Sequence, residues 1–352
     1  MDRPRAGATC TARITISTTR SCRWACSSSS RSRIARWLGR TIEGPAVTHP
    51  AAQDPWFELA RSDVPGAIAV ISAIEGPAYR NVGTAMAILP DGRRFGALSS
   101  GCIEEDVAEH ALAALGDRQV RKLRYGAGSP FFDLKLPCGG ALEVTVIPAP
   151  DRSLLSELAA RRVRRAEAAL GLSASGGLRL MQEDEPPDAP GELRIAFRPE
   201  PRFVIFGAGA EAVFFADLVQ ATGAPHLLLT PEDATFANAE GAGCTVRRLD
   251  RSAIPSDVAI DARTAVILLF HDHDWELDIL EAALATPAFY IGAQGSVRTQ
   301  NRRQEGLQAR GIDAATRARV HGPIGLIQSA RDPRLLAVSV LAEVLEEVQR
   351  DV

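Results

Sequence analysis

The sequence predicts an α/β protein, with a doubly wound parallel sheet over residues 201–352 and a smaller α+β domain over residues 56–150. Two observations carry that reading. From residue 201 short apolar runs, "RFVIF", "HLLLT", "CTVRRLD", "TAVILLF" and "AFYIG", alternate with helical stretches. Strands separated by helices in this way form a parallel sheet covered on both faces. Further, "FVIFGAGAEAVFFADL" sets Gly207-x-Gly209-x-x-Ala212 straight after a strand and at the start of a helix. That context is the one a phosphate-holding strand-to-helix turn requires, so the C-terminal half is predicted to be Rossmann-like.

The smaller domain follows in order. "AIAVISAIEG" and "GTAMAILPDGRRFGALSSG" read as strands, with Asp91-Gly92 as a hairpin signal. In "CIEEDVAEHALAALGD", Ile103, Val107, Ala111 and Leu115 recur every four residues as a helical stripe, and Gly116 is expected as its C-terminal cap. "ALEVTVIP" closes the unit as a strand. Residues 151–200 are expected as a connector: a helix over "LLSELAARRVRRAEAALG", then loop through "LSASGG" and "EDEPPDAPGE". At the end of the chain, Asp332 is the expected N-cap and Pro333 the first helical residue of a long apolar helix. That helix packs either in a homodimer or on its own sheet.

Composition excludes several function classes. The chain has 352 residues, 46% hydrophobic and 24% charged, with a formal net charge of −3. Nucleic-acid and anionic-membrane partners are not expected. No apolar run approaches the roughly 20 residues of a spanning helix. Residues 1–50 differ: they hold nine Arg against one Asp and one Glu, and are rich in Ser and Thr. Residues 1–55 are read as a disordered or mis-started leader, with an organelle transit peptide as the alternative. Cys102, Cys138 and Cys244 are far apart and form no CxxC pair of the kind a structural zinc site needs, so none is predicted. The isolated thiols Cys102, Cys138 and Cys244 suit a reducing compartment, so the expected location is cytoplasmic.

Four places carry candidate chemistry. The Gly207 turn offers N–H groups and a helix dipole to an anion. Its NAD signal is incomplete, because the second strand ends at Thr230 and Glu232 lies about two residues beyond the ribose-binding register. "YIGAQGSVRTQNRR" gives Gly295, Ser296, Arg298 and Thr299 after another strand, a set that binds phosphate by charge-assisted hydrogen bonds. Arg302 and Arg303 either join them or form salt bridges on an exposed helix. His271-Asp272-His273-Asp274 follows a third strand; its spacing supplies only part of a metal site, and His271 is kept as a ligand contact. Finally, Cys102 precedes a helix N-terminus and Cys138 stands in Pro-Cys-Gly-Gly, settings that expose a thiol and favour its thiolate.

Taken in order, "GPAYRNVGTAMAILPDGRRFGALSSGCIEEDVAEHA", "FFDLKLPCGGALEVTVIP", the Gly207 segment, "FHDHDWELDIL", the Gly295 segment and "HGPIGLIQSARDPRLLAVSVLAEVL" resemble the xanthine dehydrogenase accessory protein family, the XdhC/CoxI group, over roughly residues 65–349. The resemblance implies a chaperone, not a turnover enzyme. It would bind the molybdenum cofactor (molybdopterin) as cargo, support its sulfuration with a cysteine desulfurase, and deliver it to a xanthine dehydrogenase-type molybdoenzyme. It implies Cys102 and Cys138 as the paired working thiols; Gly101, Glu104, Gly139 and Gly140 beside them are candidate cofactor-binding residues, and molybdenum contact by either thiol is the one metal role expected. It implies Gly207, Gly209, Ser296 and Arg298 as phosphate-facing residues, and Ala212, Gly295 and Thr299 of the same segments stand with them as cofactor-binding candidates. The chain departs from the family pattern at Ser100, Ala210 and Thr230, which bears on nucleotide use and leaves the thiols untouched. The alternatives are an NAD(P)-dependent oxidoreductase using the Gly207 turn, or an inert assembly scaffold.

Overall fold

A computed structural model describes residues 54–126, 139–182, 185–186, 191–271 and 275–350. Helix α1 (Pro55–Arg61) is started by Asp54, whose Oδ1 accepts the Trp56 and Phe57 N–H groups at 2.9 and 3.1 Å. Such a cap contributes about 1 kcal/mol. Strands β1 (Ala67–Glu75), β2 (Ala85–Ile88) and β3 (Arg94–Gly96), helix α2 (Glu104–Asp117), and strands β4 (Arg121–Gly126) and β5 (Ala141–Pro148) follow. The five strands form one antiparallel sheet in the order β3-β2-β1-β5-β4.

The central strand β1 explains its own sequence. Ala67, Ala69 and Ile71 pack towards α2, whereas Ile68 and Val70 pack towards α1 on the other face. Buried on both sides, it reads as an apolar run without alternation. Helix α2 runs one residue past Gly116, and the left-handed residue is Arg118 at φ 58°. The turn closes there because Asp117 Oδ1 accepts the Gln119 N–H at 2.9 Å and the Asp117 carboxylate holds Arg121 at 2.5 Å.

The connector departs from expectation. Helix α3 (Arg152–Val163) stops early, and strands β6 (Ala168–Leu172), β7 (Leu178–Met181) and β8 (Leu193–Phe197) form a three-stranded antiparallel sheet in the order β7-β6-β8. "AEAALGL" suits helix by propensity, but Leu170 and Leu172 bury against the α1 and β1 face, and tertiary packing decides. The reversal sits at Arg165, φ 56°, whose guanidinium bonds Asp261 at 2.6 and 3.2 Å. Burial pushes the Asp261 carboxyl up, but Arg165 and Thr264 outweigh it and bring it down to about 2.

The last unit comprises β9 (Arg202–Gly207), α4 (Ala210–Ala221), β10 (His226–Thr230), α5 (Asp233–Gly241), β11 (Val246–Arg248), β12 (Thr264–Leu269), α6 (Glu276–Leu284), β13 (Tyr290–Ala293), α7 (Val297–Ala309), α8 (Ala314–Arg317), β14 (Val320–His321) and α9 (Pro333–Arg350). Its six strands are all parallel, in the order β11-β10-β9-β12-β13-β14. Phe203 and Ile205 face α4 and α9; Val204 and Phe206 face α6 and α7. Each fully buried Phe adds about 2 kcal/mol. Asp332 Oδ1 accepts the Arg334 N–H at 2.8 Å at the start of α9. Among the described residues, no helix is long and apolar enough to cross a membrane.

Candidate functional site

All six strands point the same way, so one edge of the sheet gathers the loops after β9, β10, β12 and β13. The strand order reverses between β9 and β12, and ligands of open parallel sheets bind at that edge. Gly207, Gly209, His271 and the Gly295 loop are all on it.

The Gly207 turn is closed by its own protein. A Cβ on Gly207 would stand 2.6 Å from the Leu269 carbonyl oxygen and 3.0 Å from Ala212 Cβ. Gly207 and the buried Ala212 therefore let β9, β12 and α4 approach, which is a packing role. Gly209 adopts φ 85° and ψ −169°, open to glycine alone. Its N–H donates to Thr235 Oγ1 at 2.7 Å and to Glu232 Oε2 at 3.2 Å. The buried Thr235 hydroxyl donates in turn to Glu232. Glu232, about two residues beyond the ribose-binding register, thus reaches back to the anion seat. The exposed His271 ring lies beside this turn, with Nε2 3.2 Å from Glu211 Oε2. Two carboxylates at one helix N-terminus answer its dipole and oppose a phosphate there.

The Gly295 loop is built differently. Gly295 has φ 150°, and a Cβ there would meet Thr299 at 3.0–3.1 Å. Ser296 caps α7: its Oγ accepts the Thr299 N–H at 3.1 Å and lies 3.0 Å from Thr299 Oγ1. Gly295, Ser296 and Arg298 are exposed, and Arg298 pairs with no described residue. Hydroxyls, a helix N-terminus and an unengaged guanidinium thus share one loop. Arg302 is exposed as well. Arg303 forms the expected salt bridge but in the interior, not on an exposed face: it is 3% exposed and holds Glu276 by two hydrogen bonds of 2.7 Å.

In the smaller unit, the loop carrying Cys102 is organised by Glu104. That carboxylate accepts the Ser99 N–H at 2.6 Å, the Ser99 hydroxyl at 2.7 Å and the Ile103 N–H at 3.2 Å. Ser99 Oγ accepts from Gly101 and Cys102 N–H at 3.2 and 3.1 Å. Burial raises the Glu104 carboxyl, but the Ser99 donors and neighbouring N–H groups outweigh it and hold the group below the usual range. Glu104 therefore shapes the loop from within, a role sequence reading assigned to ligand contact. Cys102 is half-buried, resting on the core beneath α2. Gly101, φ 100°, has nothing within 4 Å of a built Cβ among the described residues.

Cys138 lies outside the described residues. Of its two glycines, Gly139 has nothing within 4 Å of a built Cβ among the described residues, whereas Gly140 would meet the Pro77 carbonyl oxygen at 2.2 Å. Asp272, His273 and Asp274 also lie outside, and no three His, Cys, Asp or Glu gather as a metal site among the described residues. Sequence reading missed Thr235, Glu211 and Glu276. Only the Glu232-x-x-Thr235 spacing at a helix start gave a local signal for one of them.

Comparison with known proteins points in one direction. A family model described as "XdhC Rossmann domain" matches residues 203–344, and one described as "XdhC and CoxI family" matches residues 59–126. The chain is 34% identical to the "Molybdenum cofactor insertion chaperone PaoD" of Escherichia coli (strain K12), over 79% of this chain and 82% of that protein. It is 25% identical to a protein of Bacillus subtilis (strain 168) named as a probable xanthine dehydrogenase subunit, over 80% of this chain and 93% of that protein. A crystal structure titled as a xanthine dehydrogenase from Bacillus halodurans shares the fold, with a TM-score of 0.67 at 22% identity over 84% of this chain and 96% of that one.

Proposed function

The chain belongs to the XdhC and CoxI family, and from that premise we propose that it binds the molybdenum cofactor as cargo and delivers it to a xanthine dehydrogenase-type molybdoenzyme. The observation that carries this is the 34% identity, over about four fifths of both chains, to a protein named as a molybdenum cofactor insertion chaperone. The cargo ends in a phosphate. Ser296, Thr299 and Arg298 on the Gly295 loop receive it through charge-assisted hydrogen bonds and the positive end of α7. Cys102 and Cys138 act as soft donors towards the sulfur-ligated molybdenum while a cysteine desulfurase supplies sulfur.

An NAD(P) oxidoreductase is the weaker reading, because Glu232 holds the Gly209 N–H that a pyrophosphate would need. The test is to purify the full chain from a molybdate-fed host and assay released pterin. About one pterin per chain is expected. A Cys102→Ala/Cys138→Ala variant should bind less or fail to support sulfuration; unchanged retention and sulfuration would remove the thiols from the mechanism. Micromolar NADH or NADPH binding without pterin would reverse the reading, and a partner enzyme co-purifying without either ligand would leave a scaffold.

A further inference from the structure

We propose that Arg303 and Glu276 are positioning residues, a buried clamp that sets the Gly295 loop against the start of α6 and on which that loop's hold on cargo depends. This rests on the cargo reading above.

Glu276, at 0% exposed, and Arg303, at 3%, are the charged residues buried among the described residues. They are 27 positions apart and belong to different helices. The guanidinium fork closes on both carboxylate oxygens, Nε to Oε2 and Nη2 to Oε1, each at 2.7 Å. The same guanidinium donates to main-chain carbonyls where β13 becomes the loop: Nη1 to Ala293 O at 3.4 Å, and Nη2 to Gln294 O. Nη2 lies 3.2 Å from where a Gly295 Cβ would stand. The loop is therefore fastened twice, by Arg303 below residues 293–295 and by the Ser296–Thr299 cap above.

Stability alone does not ask for this pair. Taking two charges out of water is costly, and apolar replacements of similar volume are often neutral or stabilising. What the pair provides is geometry. Arginine's planar fork can bind a carboxylate and two carbonyls in fixed directions, which a lysine ammonium cannot. Ligand-holding groups need their supports locked to about half an ångström. Glu276 opens α6, so the clamp also sets the registry between the start of α6 and the Gly295 loop.

The test uses the full chain in four forms: wild type, Arg303→Lys, Arg303→Met/Glu276→Leu, and Arg298→Ala as a loop variant that leaves the clamp intact. Melting temperature, affinity for the molybdenum cofactor, and hydrogen exchange at residues 293–299 without ligand are read together. The double variant is expected to melt within a few degrees of wild type, bind the cofactor about tenfold more weakly, and exchange faster at 293–299. Arg303→Lys should show the same faster exchange and weaker binding, and Arg298→Ala weaker binding with unchanged exchange. If the apolar pair melts normally yet keeps wild-type affinity and exchange, the clamp is only packing and the proposal is wrong. Should the double variant not fold, Arg303→Lys decides by the same two readouts. If wild type itself binds no cofactor, the cargo reading fails, while exchange at 293–299 still judges the clamp.

Discussion

Two glycine loops on one sheet edge, after β9 and after β13, look alike as sequence and differ as sites. At the first, Gly207 and Ala212 serve close packing, and the Gly209 N–H is held by Thr235 and Glu232. At the second, the exposed side carries Ser296 and an Arg298 that pairs with no described residue, while a buried arginine supports it from beneath. A glycine pattern therefore reports where backbones come close. Whether an anion binds there is decided by which side chains reach the N–H groups first.

The contrast can be broken most forcefully at Arg298. Arg298→Ala removes a charge-assisted contact of about 2 kcal/mol, a roughly thirtyfold loss of cofactor affinity by titration. Glu232→Ala is the matching test at the other loop. It removes an acceptor of the Gly209 N–H and the Thr235 hydroxyl, should cost about 1 kcal/mol, and should leave cofactor affinity within about twofold. Equal losses from the two variants would erase the distinction. Ser296→Ala should lower stability by about 1 kcal/mol through its helix cap, read as a small drop in melting temperature.

The smallest effect lies in the other unit and involves pH. Glu104 is held below the ordinary carboxylate value, so its contribution is complete above about pH 4.5 and fades as pH falls below it. Glu104→Gln should flatten that acid limb in equilibrium unfolding. An acid limb identical to wild type would mean that Glu104 does not organise the Cys102 loop.

Much of the fold was legible because burial on both faces writes continuous apolar runs. β1, β9 and β12 each split their side chains between two cores, and each reads as an apolar run. The three-stranded sheet was not legible. "AEAALGL" satisfies helix propensity, and burial of Leu170 and Leu172, with the reversal at Arg165 held by a partner 96 residues away, turns it into a strand. Two-residue β14 is too short to leave a pattern. At the site, sequence identified the loops and residue types of the edge. It could not foresee Glu232 turning back to Gly209, or Arg303 pairing with Glu276, since both depend on long-range contacts that no local spacing records.

Hydrogen exchange of the full chain with and without the molybdenum cofactor tests the central claim most directly. The account predicts protection at residues 295–300 and none added at 207–211. Protection confined to 207–211, with residues 295–300 unchanged, would contradict it.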